Sequence, residues 1–174
     1  MEFCTIQSGD PEAIAGLLRI CAESNARVYR KRYAKQYASD IEAWDALMRD
    51  YTEFIREFAA QDDRRIFALK ENGNWAAALR VIRMETNNWY LEALETAPAF
   101  RRKGYAWKLI SHTLDELRGQ NACSLISIVE KENRASRALH EACGFALTGS
   151  TAKDHEGNLI ENCVLYRYSF AENI

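Results

Sequence analysis

Glycine and proline are scarce in this sequence, eight and two among 174 residues. With 11% aromatic residues alongside, that scarcity excludes a collagen-like chain, a low-complexity linker and extended disorder. No apolar run approaches the roughly 20 residues that span a bilayer, so no membrane partner is expected. Met1-Glu2-Phe3-Cys4 has no basic start leading into an apolar stretch, so no secretion signal is visible. The five cysteines, Cys4, Cys21, Cys123, Cys143 and Cys163, are odd in number, far apart and never in a C-x-x-C pair. That pattern supports neither a disulfide framework nor a zinc site, and no other metal constellation is legible. Free, mostly buried thiols in a reducing cytoplasm fit it better. An excess of one charge is missing too. Twenty-three Lys and Arg against 25 Asp and Glu leave a net charge of −2, whereas a nucleic-acid binder usually carries a basic excess.

What is present is a chain long enough for one domain, 1–174, with a core that needs no staple. Residues 3–7 read as a short strand. Asp10-Pro11 is a helix start, aspartate capping and proline losing nothing at the first helical position. Ile14, Leu17, Leu18 and Cys21 follow at helical spacing. Ser39 and Glu42 make a capping box, after which Ile41, Trp44, Leu47, Met48, Tyr51, Phe54, Ile55 and Phe58 form a helical apolar stripe. The period then switches to two. Strands are expected over 65–71, 75–85 and 89–96, the first pair joined at Asn72-Gly73, a dipeptide suited to the positive φ of a tight hairpin. A helix over 102–118, a strand over 122–129, a helix over 133–142 stopped by Gly144, and a hairpin over 145–170 complete an α+β domain around a mixed central β-sheet flanked by helices.

One local charge anomaly stands out. Arg27, Arg30, Lys31, Arg32 and Lys35 occur without an acid among them, with Tyr29, Tyr33 and Tyr37 interleaved. The segment reads either as a surface for an anionic ligand or single-stranded nucleic acid, or as a helix with tyrosines inward and charges solvated.

The segment Leu94-Glu95-Thr96-Ala97-Pro98-Ala99-Phe100-Arg101-Arg102-Lys103-Gly104-Tyr105-Ala106 carries the chemistry. A strand ends at a proline, and a basic, glycine-containing loop opens directly into a helix. The first N–H groups of a helix lack partners and sit at its positive end, so this is an anion site. Arg101 to Ala106 fits R-x-x-G-x-A, a weak pattern alone. Downstream stands Asn133-Arg134-Ala135-Ser136-Arg137-Ala138-Leu139-His140-Glu141-Ala142-Cys143-Gly144-Phe145. Both segments, their spacing and the strand order resemble the GNAT superfamily of acyl-CoA-dependent N-acyltransferases, from about residue 65 to the end.

The resemblance implies a GNAT-like sheet splayed between the fourth and fifth strands, near Leu94–Thr96 and Ser127–Glu130, with the thioester of acetyl-CoA in the gap. Leu94, Glu95 and Thr96 would hydrogen-bond the pantetheine arm through their backbone, as an added strand does. Arg101, Arg102, Lys103, Gly104, Tyr105 and Ala106 would hold the pyrophosphate, and Asn133 would reach the pantetheine or cysteamine region. Ala106 replaces the motif's final glycine, which the family tolerates. Residues 65–174 would be the sheet and cofactor-binding core, and 11–60 the helices on the acceptor side.

Where many members carry a tyrosine that protonates the leaving thiolate, this sequence has His140. It reads either as a general acid or as a residue that packs or caps helix 133–142. Glu92 is the first candidate for the base that neutralises the acceptor amine, on the parity it shares with Leu94 and Thr96. Glu95 lies on the opposite face by that parity, while Glu85 and Tyr90 remain open. Trp89, beside Tyr90, is placed at the mouth of the site. Cys123 and Cys143 read either as nucleophiles of a ping-pong route or as buried thiols, and neither has a local base in the sequence. The expectation is N-acetyl transfer to a primary amine by direct attack, with an acceptor whose acidic part the 27–37 segment hints at. The alternative is a CoA-binding sensor without efficient catalysis. A homodimer through the C-terminal hairpin or an edge strand is compatible with the pattern.

Overall fold

The computed structural model describes residues 1–7, 10–149 and 151–170. In chain order the elements are β1 (Glu2–Thr5), α1 (Pro11–Ile20), α2 (Ala22–Lys31), α3 (Asp40–Ala59), β2 (Arg64–Glu71), β3 (Asn74–Arg83), β4 (Asn88–Thr96), α4 (Tyr105–Gly119), β5 (Ser124–Glu130), α5 (Arg134–Ala142), β6 (Ala146–Gly149), β7 (Ala152–Lys153), β8 (Leu159–Ile160) and β9 (Cys163–Ser169). Short 3-10 turns cover Tyr33–Lys35, Glu85–Asn87 and Pro98–Phe100.

Local chemistry sets most of these boundaries. Asp10 accepts from the N–H groups of Glu12 and Ala13 at the start of α1, and Ser39 accepts from Glu42 at the start of α3. Asn133 accepts from the N–H of Ser136 and so starts α5. Asn72 and Gly73 both have positive φ, 49° and 77°, as the β2–β3 hairpin requires. The tyrosines expected on one continuous helix are divided instead. The helix ends at Lys31, and Tyr33 lies in the following 3-10 turn. Tyr29 and Tyr33 are buried beside Ala43, Ala46 and Leu47 of α3, whereas Tyr37 is exposed. The C-terminal region is also more broken than a single hairpin, because, among the described residues, β6 ends at Gly149 and β7 pairs only with β8.

A seven-stranded sheet runs in the order β1-β2-β3-β4-β5-β9-β6. All its ladders are antiparallel except β4–β5, which is parallel. One face buries Trp89, Leu91, Leu125 and Tyr166 against Leu109, Ile110, Leu114 and Leu117 of α4. The other buries Ile66, Trp75 and Tyr90 against Ile14, Leu17 and Ile20 of α1 and Ile55 and Phe58 of α3. No helix among the described residues is long and apolar enough to cross a membrane.

Gly16 is where α1 touches the sheet. A Cβ there would stand 2.3 Å from the indole ring of Trp75, far inside contact distance. Replacing Gly16 by alanine is expected to destabilise the protein by about 2 kcal/mol, within the usual range for overpacking. For a chain this size that lowers the thermal midpoint by about 4–8 °C. An unchanged midpoint in a calorimetric scan would mean that α1 shifts freely on the sheet.

Candidate functional site

The parallel pair that organises the site is short. Asn88–Leu91 of β4 pairs with Ser124–Ser127 of β5, and there the ladder ends. Beyond it, β4 runs on to Thr96 against β3, and β5 runs on to Glu130 against β9. The strands part, and the β4 backbone groups that point toward β5 lose their ladder partners. Two cavities meet at this split, a groove of about 730 Å³ reaching α4 and α5 and a gap of about 200 Å³ between the strands, and a pocket of about 390 Å³ under α2 and α3 adjoins the groove at Ser24 and Glu95.

The groove is lined by Leu94, Thr96, Arg101, Arg102, Gly104 and Asn133 among others. The helix expected from Arg102 begins only at Tyr105, because Arg102 (φ 58°) and Gly104 (φ 79°) are left-handed and cannot continue into a right-handed helix. Gly104 offers no side-chain cap, so the first N–H groups of α4 are not satisfied by a capping side chain. Open space surrounds the position a Gly104 Cβ would take. Lys103 donates to the carbonyl of Ala99 at 2.8 Å, bracing the loop. Arg101 does more than face the groove. It donates to the Thr96 carbonyl (3.1 Å) and to the Glu23 carboxylate of α2 (2.7 Å), tying the loop to the far wall. The hydrogen bond from Arg101 holds the Glu23 carboxyl below its ordinary range. Asn133, at the junction of groove and gap, uses its side-chain oxygen to cap α5.

The parity expected along β4 does not hold. A β-bulge opposes Leu91 to Val81 but Ala93 to Arg80, leaving Glu92 as the extra residue. Leu94 and Thr96 therefore pair with Leu79 and Ala77 and share their face toward α4. Glu92 turns the other way, where both its carboxylate oxygens are held by Arg80, whose guanidinium lies over Phe54 and Phe58. Glu95 shares that face, accepting a hydrogen bond from the Ser24 hydroxyl of α2. The two carboxylates are thus neighbours on one side of the sheet, and Glu95 lines both the groove and the pocket.

His140 is 2% exposed and has both ring nitrogens engaged. A carbonyl can only accept, so the 2.7 Å contact from Nδ1 to the Ser136 oxygen puts the proton on Nδ1. Nε2 then accepts from the Ser127 hydroxyl at 2.9 Å. Burial pushes the imidazole below the usual histidine range and outweighs the opposing backbone hydrogen bond. Since the folded chain resists the proton that the unfolded chain accepts, His140 adds stability at pH above the unfolded value near 6.5. That contribution is lost as pH falls from there through the folded value. The thermal midpoint is expected to drop on acidification below about 6.5, and less steeply in His140→Gln, as followed by circular dichroism. Equal slopes would remove His140 as the source.

Several neighbours were not legible in the sequence. Ser24, Asn25, Tyr51 and Arg80 line the pocket, and Ser127 lines the gap. No motif marks them, since they come from four separate elements. Trp89, placed at the site's mouth by its neighbour Tyr90, is instead 1% exposed in the α4-side core. Strand alternation sends Tyr90 to the other face, where burial pushes its phenol up to about 12. Burial also pushes the Cys143 thiol up to about 11, which leaves little nucleophilic thiolate at neutral pH.

The family model described as "Acetyltransferase (GNAT) family" matches residues 26–145, more than half of the chain. No curated protein matches the sequence. Among solved structures, the PaiA N-acetyltransferase of Thermoplasma acidophilum in complex with coenzyme A is 12% identical, with a TM-score of 0.69 over 98% of this chain and 100% of that one. A ribosomal-protein alanine N-acetyltransferase of Escherichia coli is 17% identical, with a TM-score of 0.64 over 99% of each chain. An N-acetyltransferase of Staphylococcus aureus is 16% identical, with a TM-score of 0.60 over 97% of this chain and 99% of that one. At these identities the likeness is one of fold.

Proposed function

The chain belongs to the GNAT acetyltransferase family, and from that premise we propose that it transfers an acetyl group from acetyl-CoA to a small primary amine by direct attack. The observation that carries this reading is Glu95. Its residue lines the groove on one side and the pocket on the other, so donor and acceptor would meet at one carboxylate.

The residues present suit acetyl-CoA. Arg101 to Ala106 combine charge, an uncapped helix start and open space at Gly104, the features a pyrophosphate needs. In this reading Arg101 exchanges Glu23 for phosphate. Leu94 to Thr96 offer the unpaired β4 edge to the pantetheine amides, with Asn133 at the inner end. When bound, the cosubstrate supplies an activated thioester carbonyl. The amine nitrogen attacks that carbon, a C–N bond forms and the C–S bond breaks. Glu95 takes the proton the amine loses, and β4 N–H groups at the split stabilise the oxyanion. The thiolate takes its proton from solvent in the gap. His140, neutral and with Nε2 accepting, acts as a positioning residue that orients Ser127 rather than as the acid that its place in the motif suggests.

CoA release from acetyl-CoA across a broad panel of amines, including polyamines, amino acids and peptides, tests the reading. Turnover with at least one amine is expected. Acetyl-CoA binding without turnover on any of them would leave a CoA-binding sensor.

A further inference from the structure

The pocket under α2 and α3 has two chemically different ends. From them we infer that the amine substrate carries a carboxylate at the end remote from its amino group. This inference rests on the acetyltransferase reading and specifies its acceptor.

Ser24, Val28 and Arg32 recur every four residues along α2 and its C-terminal cap, and all three line the pocket. Eight residues of helix advance about 12 Å, which sets the distance between the two ends. At the near end Ser24 holds Glu95. At the far end stands Arg32, exposed and, among the described residues, in no ion pair. Its guanidinium lies 5.6 Å from the centroid of the Tyr33 ring.

Of the other charges facing the pocket, Arg80 is paired with Glu92, while the Asp50 and Glu95 carboxylates, each accepting from a neutral hydroxyl (of Tyr33 and Ser24), keep their charge. The wall between the ends is apolar, formed by Val28, Leu47 and Phe54 with the ring of Tyr51. Two buried groups of the lining, the Asn25 side-chain nitrogen and the Tyr51 hydroxyl, are left over. The Asn25 side-chain nitrogen has no hydrogen-bond partner although the residue is only 7% exposed and lines the pocket. Unpaired buried donors are uncommon, and one facing a cavity calls for an acceptor oxygen on the occupant. A terminal anion on the amine gives Arg32 an ionic partner, and an acceptor oxygen along its span meets Asn25. A diamine would set its second cation against Arg32 and leave Asn25 unpaired. The volume, about 390 Å³, suits an ω-amino acid or a short peptide. Arg30, Lys31 and Lys35, exposed on the same segment, extend the positive field that would draw such an anion in.

Three amines of matched length separate the alternatives: 6-aminohexanoate, 6-aminohexanamide and 1,6-diaminohexane. CoA release is measured for each with the wild-type protein and with Arg32→Glu. The carboxylate is expected to exceed the other two in kcat/KM by about tenfold or more, the usual worth of a hydrogen bond to a charged group. Arg32→Glu is expected to reverse the order in favour of the diamine at an unchanged thermal midpoint. A diamine or amide that equals the carboxylate in the wild type overturns the inference. So does turnover confined to other amines of the broad panel, which leaves the acetyltransferase reading standing. Absence of turnover across that whole panel overturns both.

Discussion

Gly104→Glu is expected to abolish the thermal stabilisation that acetyl-CoA confers. A ligand at about 100 times its dissociation constant stabilises a protein by roughly 2.7 kcal/mol. For a chain of this size that raises the midpoint by about 5–10 °C. The variant places a carboxylate beside the uncapped N-terminus of α4, where a phosphate would otherwise take the N–H groups. It adds like charge and bulk where nothing lies within 4 Å of the added Cβ. That space also keeps the fold's own loss small, since the main cost is the positive φ of 79°, about 1–2 kcal/mol for a residue with a side chain. Gly104→Asn separates the two effects, because asparagine tolerates a left-handed backbone and adds no charge. It should retain part of the shift. A full shift in Gly104→Glu would place the cofactor elsewhere than in this loop.

The second large effect distinguishes two carboxylates that lie three residues apart. Glu95→Gln should lower kcat by about 10²–10⁴-fold, the usual range for loss of a general base, with little change in melting. Raising the pH should recover part of the rate, because solvent then supplies the free amine that Glu95 otherwise generates. Glu92→Gln should do the reverse. It leaves the guanidinium of Arg80, whose side chain is 16% exposed, without its ionic partner. The expected result is a loss of about 2 kcal/mol in stability, below the range for a fully buried pair because Glu92 is partly solvated. A steep loss of turnover in stable Glu92→Gln, with Glu95→Gln near wild type, would assign the base to Glu92.

Much of this molecule could be read from its residues in order. Asp10 and Ser39 each cap the helix that follows, because a cap is an exchange between a side chain and backbone N–H groups two or three residues away. Asn72-Gly73 announced the hairpin for a similar reason, as its turn asks only that two adjacent residues accept positive φ. The loop from Arg101 to Ala106 and the segment after Asn133 were legible as a pair, and they placed the chain in its family. All of these signals are local, or are short motifs that repeat across a family.

The features that distinguish the proposed chemistry are not local. The bulge that turns Glu92 and Glu95 to the same face arises from the pairing of β4 with β3, and strict alternation along β4 alone predicts the opposite. Ser127 becomes the partner of His140 only when α5 packs over β5. The pocket that joins Ser24, Asn25, Arg32, Tyr51, Arg80 and Glu95 draws on two helices, the turn between them and two strands. The sequence by itself determined where capped helices such as α1 and α3 start and where the chain reverses at Asn72-Gly73, since those depend on neighbours within a few residues. Tertiary structure alone decided which face of the sheet Glu92 takes, which histidine nitrogen carries the proton and which buried donors line the pocket unpaired. Those outcomes depend on register, burial and contact between residues that only the packed sheet brings together.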